Sequence, residues 1–286
     1  MKYNIKEDAM LIRLMLNISQ AELASAIGVE KRTILRIENE DNYPSNETLE
    51  KIYNFAYKKG IKLNDIKEML YKEENPDSKI IFHGAREDIN GNISPFYGRK
   101  TNDFGTGFYC GETNEQASSF ISRYQKSSIY MIKFVDSDLK KVSFDVDQEW
   151  MLAIAYYRGT LDEYKDHPLI RKIIKDIENA DYVYAPIADN RMYRIIDQFI
   201  DGYITDEQCK HCLAATNLGK QYVFLTEKAT SKLTILEKCY LSSLKKEHYQ
   251  EIKEADINDG DNKTKLAMIK YKNQGKYIGE ILSWLK

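Results

Sequence analysis

The residues with the clearest chemical potential form a glycine-rich segment at positions 103–109, with the sequence Asp-Phe-Gly-Thr-Gly-Phe-Tyr. Gly105 and Gly107 have no Cβ, so a ligand can approach this part of the backbone closely. Phe108 and Tyr109 place flat aromatic faces beside them. The two glycines and the two aromatic faces together suit a ligand with a planar, polar ring. The alternative interpretation is a tight turn between two strands, with its aromatic side chains in the core.

A second candidate residue, His83, follows a short apolar run at residues 80–82. This run comes after a breaker cluster at residues 75–78 and stops at Gly84, which predicts a buried strand that carries His83 at its end. Two better-known glycine motifs do not fit. Cys110 stands where a dinucleotide fingerprint needs its third glycine, and the strand lysine and Asp-Asn pair of a kinase are absent.

Three motifs follow one another in an order that resembles the ADP-ribosyltransferase superfamily, particularly its poly(ADP-ribose) polymerase-like branch. In that branch a strand ending in His-Gly is followed by Gly-x-Gly-apolar-Tyr and a helix, and a later strand carries the catalytic carboxylate. The helix corresponds to residues 114–121 and the later strand to residues 221–225, which places Gln221 at the acidic position. The resemblance covers about residues 79–245. It extends to bacterial domains of otherwise unknown function with Asp-Phe-Gly-x-Gly-Phe-Tyr, a segment similar to residues 184–189, and a Gln-x-apolar-Phe strand.

The resemblance implies NAD as a substrate. Gly84 would bond the nicotinamide carboxamide, His83 the adenosine-side ribose, and Tyr109 would stack on the nicotinamide ring. Gln221, His83 and Tyr109 form the expected catalytic set. The residues expected to bind NAD are His83, Gly84, Arg99, Phe104, Gly105, Thr106, Gly107 and Tyr109. Arg99 would clamp the pyrophosphate through its planar guanidinium, and the alternative is a solvated loop arginine.

Gln221 leaves three interpretations open, because a glutamine orients a ribose but carries no negative charge. The domain performs mono-ADP-ribosylation with a glutamine, or Asp189 or Glu227 takes the charge role, or the domain only binds nucleotide. Asp189 also suits the N-cap of a helix that begins near residue 191. The leading hypothesis is a mono-ADP-ribosyltransferase effector of the toxin or defence type, acting on an unknown protein or nucleic-acid acceptor. The alternative is a transcription regulator whose degenerate transferase-like domain senses NAD or a related nucleotide.

The N-terminal segment has apolar residues at helical spacing over residues 11–39, interrupted by Gly28, which predicts two helices, a turn and a third helix. Ser19 and Glu22 form a capping box at the start of the second helix. Gly28 suits the left-handed conformation that closes this helix. The third helix is predicted at about residues 30–38. This pattern resembles the helix-turn-helix of Cro/C1-type (XRE-like) repressors.

The repressor resemblance places the third helix in the major groove of double-stranded DNA. The residues expected to contact DNA are Gln20, Lys31, Arg32, Thr33 and Arg36. A homodimer is expected, since half-sites one turn apart require two-fold symmetry. Residues 1–70 contain eight Lys and three Arg against eleven Asp and Glu, so no net positive charge attracts the phosphates. The alternative is a helix-turn-helix that contacts a protein or docks an antitoxin.

A chain of 286 residues accommodates two domains. We predict a helix-turn-helix domain at residues 1–70, a linker at 71–78 and an ADP-ribosyltransferase-like domain at 79–286. The predicted fold class is α+β: an N-terminal all-α helix-turn-helix bundle followed by a mixed α+β domain with a split antiparallel sheet. The net charge of −2 is typical of globular proteins. Without a long apolar run or a signal peptide, we expect a cytoplasmic protein and no membrane partner.

Cys209 and Cys212 have the spacing of metal ligands, yet the sequence offers no second pair to complete a tetrahedral site. The segment at residues 204–208 predicts the start of a helix, on which the two cysteines would pack. We therefore expect reduced cysteines and no metal.

Overall fold

The computed structural model describes residues 1–215 and 218–283. The fold is α+β, as predicted: a helical N-terminal region precedes a mixed α+β region with a seven-stranded, mostly antiparallel sheet. The chain divides into two compact units. The first comprises Met1–Gly91, Thr113–Val135 and Thr234–Ile252, and the second comprises Asn92–Glu112, Asp136–Leu233 and the described residues from Lys253 onward.

Within the described residues, the α-helices are α1 (Ile5–Leu16), α2 (Gln20–Ile27), α3 (Lys31–Glu38), α4 (Asn46–Lys58), α5 (Leu63–Glu74), α6 (Asn114–Ile121), α7 (Gln148–Arg158), α8 (Pro168–Glu178), α9 (Asn190–Ile200), α10 (Asp206–Leu213), α11 (Glu227–Thr230), α12 (Ser243–Lys270) and α13 (Ile278–Ile281). The strands there are β1 (Lys79–Ala85), β2 (Phe108–Gly111), β3 (Ser128–Phe134), β4 (Lys141–Ser143), β5 (Tyr182–Pro186), β6 (Lys220–Phe224) and β7 (Leu233–Cys239).

The helix-turn-helix region of the first unit forms as the sequence predicts. Ser19 Oγ accepts a hydrogen bond from the Glu22 backbone N–H, and the Glu22 carboxylate accepts one from the Ser19 N–H, which completes the capping box. Gly28 closes α2 with φ of +68°. The core of this region contains Ile12, Leu23, Ile34, Leu49 and Ile52 among other apolar side chains. Because α5 ends at Glu74, the first four residues of the predicted linker are helical.

The first unit also contains the run β1-β3-β7 of the sheet. β1 pairs antiparallel with β3, with His83 opposite Tyr130. The predicted strand at residues 80–82 and the predicted helix at residues 114–121 are both confirmed. α6 packs against β1 at Gly84, where a Cβ would lie 2.7 Å from the Ala117 carbonyl oxygen. Gly84 is therefore required by the contact between this strand and α6.

A buried ion cluster joins α1, α5 and β7 within the first unit. Lys67 Nζ contacts an Asp8 carboxylate oxygen and lies 2.5 Å from Glu237 Oε1. Tyr53 Oη donates to Asp8 Oδ2, and Tyr71 Oη donates to Glu237 Oε2 at 3.1 Å. All three charged side chains are buried. The helix-turn-helix region is thus tied to a strand of the mixed region by charges that are withdrawn from water.

The second unit contains the run β4-β5-β6-β2 of the sheet. β4 is parallel to β5, whereas β5 and β2 pair antiparallel with β6 on its two sides. The predicted strand at residues 221–225 is confirmed with a shift of one residue. α7 is fully buried from Trp150 to Ala155 and forms part of the core of this unit. This core supports the segment that contains the glycine motif.

Cys209 and Cys212 lie on α10, whose N-cap is Thr205, and both are buried in the core of the second unit. The helix start predicted from residues 204–208 is therefore confirmed. Their Sγ atoms lie 3.7 Å from the carbonyl oxygens of Ile195 and Thr264. Within residues 1–215 and 218–283, no group of three or more His, Cys, Asp or Glu could hold a metal ion. Across the same residues, no helix is both long and apolar enough to cross a membrane.

Candidate functional site

The glycine motif of the second unit is held in shape by the hydroxyl group of Tyr109. Tyr109 Oη accepts a hydrogen bond from the Phe104 N–H at 3.1 Å and donates to the Gly105 carbonyl oxygen at 2.8 Å. Gly105 has φ of +70°, a conformation that favours glycine. The tyrosine predicted to stack on a ligand therefore also closes the turn that precedes it.

Two further motif residues are packed by the protein itself. Phe104 is buried in the core and stacks on Phe144, with ring centroids 5.7 Å apart. Its side chain therefore serves the core, and its N–H is the group that binds Tyr109 Oη. A Cβ on Gly107 would lie 2.9 Å from Val223 Cγ1, so β6 requires a glycine at that position. Thr106, between the two glycines, is half-buried.

Asp103, the first residue of the motif, is the centre of a buried hydrogen-bond network. Gln221 Nε2 donates to Asp103 Oδ2 at 2.8 Å, and the Ala188 N–H donates to the same oxygen at 3.3 Å. Tyr193 Oη donates to Asp103 Oδ1. Burial raises the pKa of Asp103, while the hydrogen bonds from Tyr193, Gln221 and Ala188 act in the opposite direction. Three donors therefore converge on one buried carboxyl group of the glycine motif.

The sheet positions these residues for one another. β2 and β6 pair antiparallel with Tyr109 opposite Val223 and Gly111 opposite Gln221. On the other side of β6, Ala185 lies opposite Gln221, and the Pro186 carbonyl oxygen is 3.3 Å from Gln221 Nε2. Two predicted motifs that are 118 positions apart in the sequence are thereby joined by a side-chain hydrogen bond. Gln221 itself is buried.

A charged side chain of α7 also acts on this network. The Arg158 guanidinium of α7 lies 3.6 Å from the centroid of the Tyr193 ring of α9, and its charge acts to lower the pKa of Asp103. Burial, together with the charge of Asp103, raises the pKa of Tyr193 above its usual value. Tyr193 therefore keeps its proton and donates a hydrogen bond to the carboxylate.

The structure also gives the positions of three other residues that the sequence suggested for the site. Arg99 is exposed, in the loop that follows a short 3-10 helix at Pro95–Tyr97. Asp189 caps α9 by accepting from the N–H groups of Arg191 and Met192, as its alternative interpretation predicts. Glu227 is exposed in the first turn of α11. The acid that contacts Gln221 directly is Asp103, which sequence reasoning treated only as part of a turn.

His83 and Gly84 lie on β1 of the first unit, and both are half-buried. Their predicted contacts with NAD stay predictions. For His83, the strand assignment is confirmed and its position is fixed opposite Tyr130.

The candidate DNA-binding helix α3 exposes a basic face. Lys31, Arg32 and Arg36 are exposed and Thr33 is half-buried. The acid on this helix, Glu38, is buried and accepts hydrogen bonds from Arg13 Nε at 2.6 Å, Arg13 Nη2 at 2.8 Å and Gln20 Nε2 at 2.7 Å. Burial raises the pKa of Glu38, but the hydrogen bonds from Arg13 and Gln20 leave it below its usual value. The Gln20 side chain is thus bonded to α3 inside the domain.

The geometry defines a helix-turn-helix domain followed by a mixed α+β domain, in which a buried polar network includes the first residue of the glycine motif. Comparison with protein families matches residues 10–55 to a helix-turn-helix family and residues 79–235 to the family described as protein of unknown function (DUF3990). The chain belongs to this DUF3990 family. Its N-terminal match is to a DNA-binding class of domain. Comparison with curated proteins and with solved structures finds no match.

Proposed function

We propose that the DUF3990 domain is a mono-ADP-ribosyltransferase that uses NAD as its substrate. One observation carries the proposal: the glycine motif and the Gln221 strand, 118 positions apart, meet through the hydrogen bond from Gln221 to Asp103. The order of the motifs led us to expect them in one site. Their contact within the second unit supports that expectation, and the acceptor of the ADP-ribose is a protein or a nucleic acid.

Cleavage of the bond between nicotinamide and ribose creates a ribosyl cation, so the site has to hold the ribose while nicotinamide leaves. In this proposal Gln221 accepts a hydrogen bond from a ribose hydroxyl group, and Tyr109 supports the ring that departs. An amide oxygen carries only a partial negative charge. Because electrostatic stabilisation of a developing cation depends on that charge, the amide of Gln221 by itself stabilises the ribosyl cation less than an ionised carboxylate would.

The test uses the full chain, NAD labelled on its adenine side, and a cell lysate as the source of acceptors. We expect label to move to macromolecules and free nicotinamide to appear in equal amounts. Protease and nuclease treatment of the product then shows whether protein or nucleic acid carries the label. Denatured protein, tested in parallel, gives the background. Absence of both transfer and nicotinamide release above that background contradicts the proposal.

A second candidate function is a regulator that binds NAD without consuming it. The observation that favours it is the neutral amide at position 221, whose nitrogen already contacts Asp103 and Pro186. This function predicts NAD binding by calorimetry, no nicotinamide release, and an affinity for DNA that changes when NAD is added. The two measurements together separate the candidates.

For the helix-turn-helix domain, we propose that α3 enters the major groove as part of a dimer on a short pseudo-palindrome. Residues 1–70 have no net charge, but their basic and acidic side chains are unevenly distributed. Lys31, Arg32 and Arg36 are exposed on α3, while Glu38 is buried against Arg13. The face that would meet DNA is therefore basic, which supports a role for Lys31, Arg32, Thr33 and Arg36 in contact with DNA.

Arg32→Ala and Arg36→Ala should each weaken binding to the selected operator by about 5-fold to 100-fold, which corresponds to about 1 to 3 kcal/mol for one lost contact to a base. Binding is measured by fluorescence anisotropy at moderate salt, after the operator has been selected from random duplexes. Arg171→Ala, an exposed arginine of α8 that pairs with Asp166, is the matched control and should bind normally. Normal binding by both α3 variants would assign the helix-turn-helix to a protein partner instead.

A further inference from the structure

The side-chain amide of Gln221 has one orientation that satisfies its surroundings. An amide has two N–H donors on nitrogen and an acceptor oxygen. The nitrogen lies 2.8 Å from Asp103 Oδ2 and 3.3 Å from the Pro186 carbonyl oxygen. A backbone carbonyl can only accept a hydrogen bond. Turning the amide over would set its oxygen against both of these oxygens, so the nitrogen must face inward.

The inward orientation holds whether or not Asp103 is ionised. Oδ2 accepts from two N–H groups, those of Gln221 and Ala188, and neither nitrogen can act as an acceptor. A proton on Asp103 would therefore lie on Oδ1, next to the Tyr193 hydroxyl group, which can accept as well as donate. The inner partner of Gln221 is thus an acceptor in both states.

We infer that Asp103 is a positioning residue: it binds the amide nitrogen of Gln221, so that the amide oxygen is the atom that meets the substrate ribose. This inference rests on the proposed function. A ribose hydroxyl group donates a hydrogen bond, and an outward-facing oxygen accepts it as a carboxylate oxygen would. Asp103 is buried and does not itself contact the substrate.

The pair also places a negative charge one hydrogen bond behind the amide. A carboxylate that accepts from an N–H group polarises the amide and increases the negative charge on its oxygen. The other groups that face the pair are Tyr193 of α9, Tyr109 of β2 and Arg158 of α7. In this way the amide oxygen of a neutral glutamine presents an increased negative charge to the developing ribosyl cation, while the full charge stays on Asp103.

The decisive variant is Gln221→Glu, because it sets a second carboxyl group against Asp103. Two carboxyl groups at hydrogen-bond distance share a proton, and the pKa of the pair rises well above that of a single acid. With that proton on the inner oxygen, the variant imitates glutamine and its outer oxygen still accepts from the ribose. Loss of the proton sets two negative charges against each other.

We therefore expect nicotinamide release by Gln221→Glu to be fastest at about pH 5.5 and to fall by about tenfold per pH unit once the pair ionises. When Asp103→Asn is combined with Gln221→Glu, no second carboxylate opposes the glutamate, and the introduced asparagine can turn its amide nitrogen toward it at the cost of the 3.3 Å hydrogen bond from Ala188, so this decline with pH disappears. Asp103→Asn alone still accepts from Gln221 and donates to Tyr193, so it should fold normally and show no new decline with pH. Rates are measured from about pH 5.5 to pH 9 for all four proteins.

A second readout does not need turnover. The folded Gln221→Glu variant holds a proton that its unfolded chain has released at neutral pH, so its stability should fall as pH rises through the pKa of the pair. Because burial also raises the pKa of Asp103 in the wild type, urea unfolding should show a larger fall, at higher pH, in Gln221→Glu than in the wild type, and no such fall in the double variant. If the wild type releases no nicotinamide, the proposed function fails, whatever the unfolding data show. If Gln221→Glu shows the same pH dependence as the wild type in both readouts, or if the double variant retains the decline, the inference about Asp103 is overturned.

Discussion

Lys67→Met will lower the free energy of unfolding by about 3 to 5 kcal/mol, because it leaves two buried carboxyl groups without their shared cation. Lys67 lies between Asp8 and Glu237, and all three side chains are buried. Burial favours the neutral amine, but the two carboxylates raise the pKa of Lys67 above its usual value, so it is a cation. Urea unfolding of the full chain, monitored by circular dichroism, measures the loss.

The loss in the free energy of unfolding caused by Lys67→Met should also become larger as the pH rises. Burial raises the pKa of Glu237 in the wild type, and Lys67 opposes this effect. Without Lys67, the folded protein binds a proton at Glu237 more tightly than the unfolded chain does. Such a group stabilises the folded state at low pH, and this stability is lost as pH rises through the folded-state pKa. The difference between variant and wild type is therefore larger at about pH 8 than at about pH 5.

Lys72→Met is the matched control, since it removes an exposed lysine from the same helix, and the partner of this lysine, Glu68, lies four residues away and is half-buried. We expect a change of no more than about 0.5 kcal/mol there. Adding Glu237→Gln to Lys67→Met should recover part of the loss by removing one uncompensated charge. If Lys67→Met and Lys72→Met are equally stable, the buried cluster does not hold α1, α5 and β7 together.

Local sequence patterns predicted the elements of the fold well. The capping box at Ser19 and Glu22 and the glycine at position 28 act within one or two turns of the chain, so their effect could be inferred from spacing alone. The same holds for the strand that carries His83, where an apolar run is bounded by breaking residues, whereas the strand that carries Gln221 was predicted from the family resemblance.

Contacts between distant parts of the chain could not be predicted in this way. Asp103 was assigned to a turn because the sequence does not show that Gln221, 118 positions later, donates to it. The Gly107 position was explained by access for a ligand, whereas the structure shows β6 packed against it. The exposed positive charge of α3 could not be predicted either, because the net charge of residues 1–70 does not reveal that Glu38 is buried against Arg13. In each case the missing information was a tertiary contact.

In the proposed transferase, Gln221→Ala will lower nicotinamide release from NAD by about tenfold to a thousandfold, the effect of losing one or two hydrogen bonds that matter in the transition state. The alanine has no oxygen to accept from the ribose. The substitution also removes one of the donors to the buried Asp103 carboxyl group, so a decrease in stability is expected as well. The rate is measured at saturating NAD on protein whose folded fraction has been determined by thermal unfolding.

Two controls separate the role of Gln221 toward NAD from its role in the network. Tyr193→Phe removes another donor to Asp103 and leaves the Gln221 amide in place, so it should lower stability while release stays within about threefold of the wild type. Gln125→Ala makes the same chemical change at an exposed position and should alter neither property. A Gln221→Ala protein that releases nicotinamide as fast as the wild type would show that the third motif lies on another strand. The carboxylates of Asp189, at the N-cap of α9, and Glu227, at the start of α11, would then be the next candidates for the charge that meets the ribosyl cation.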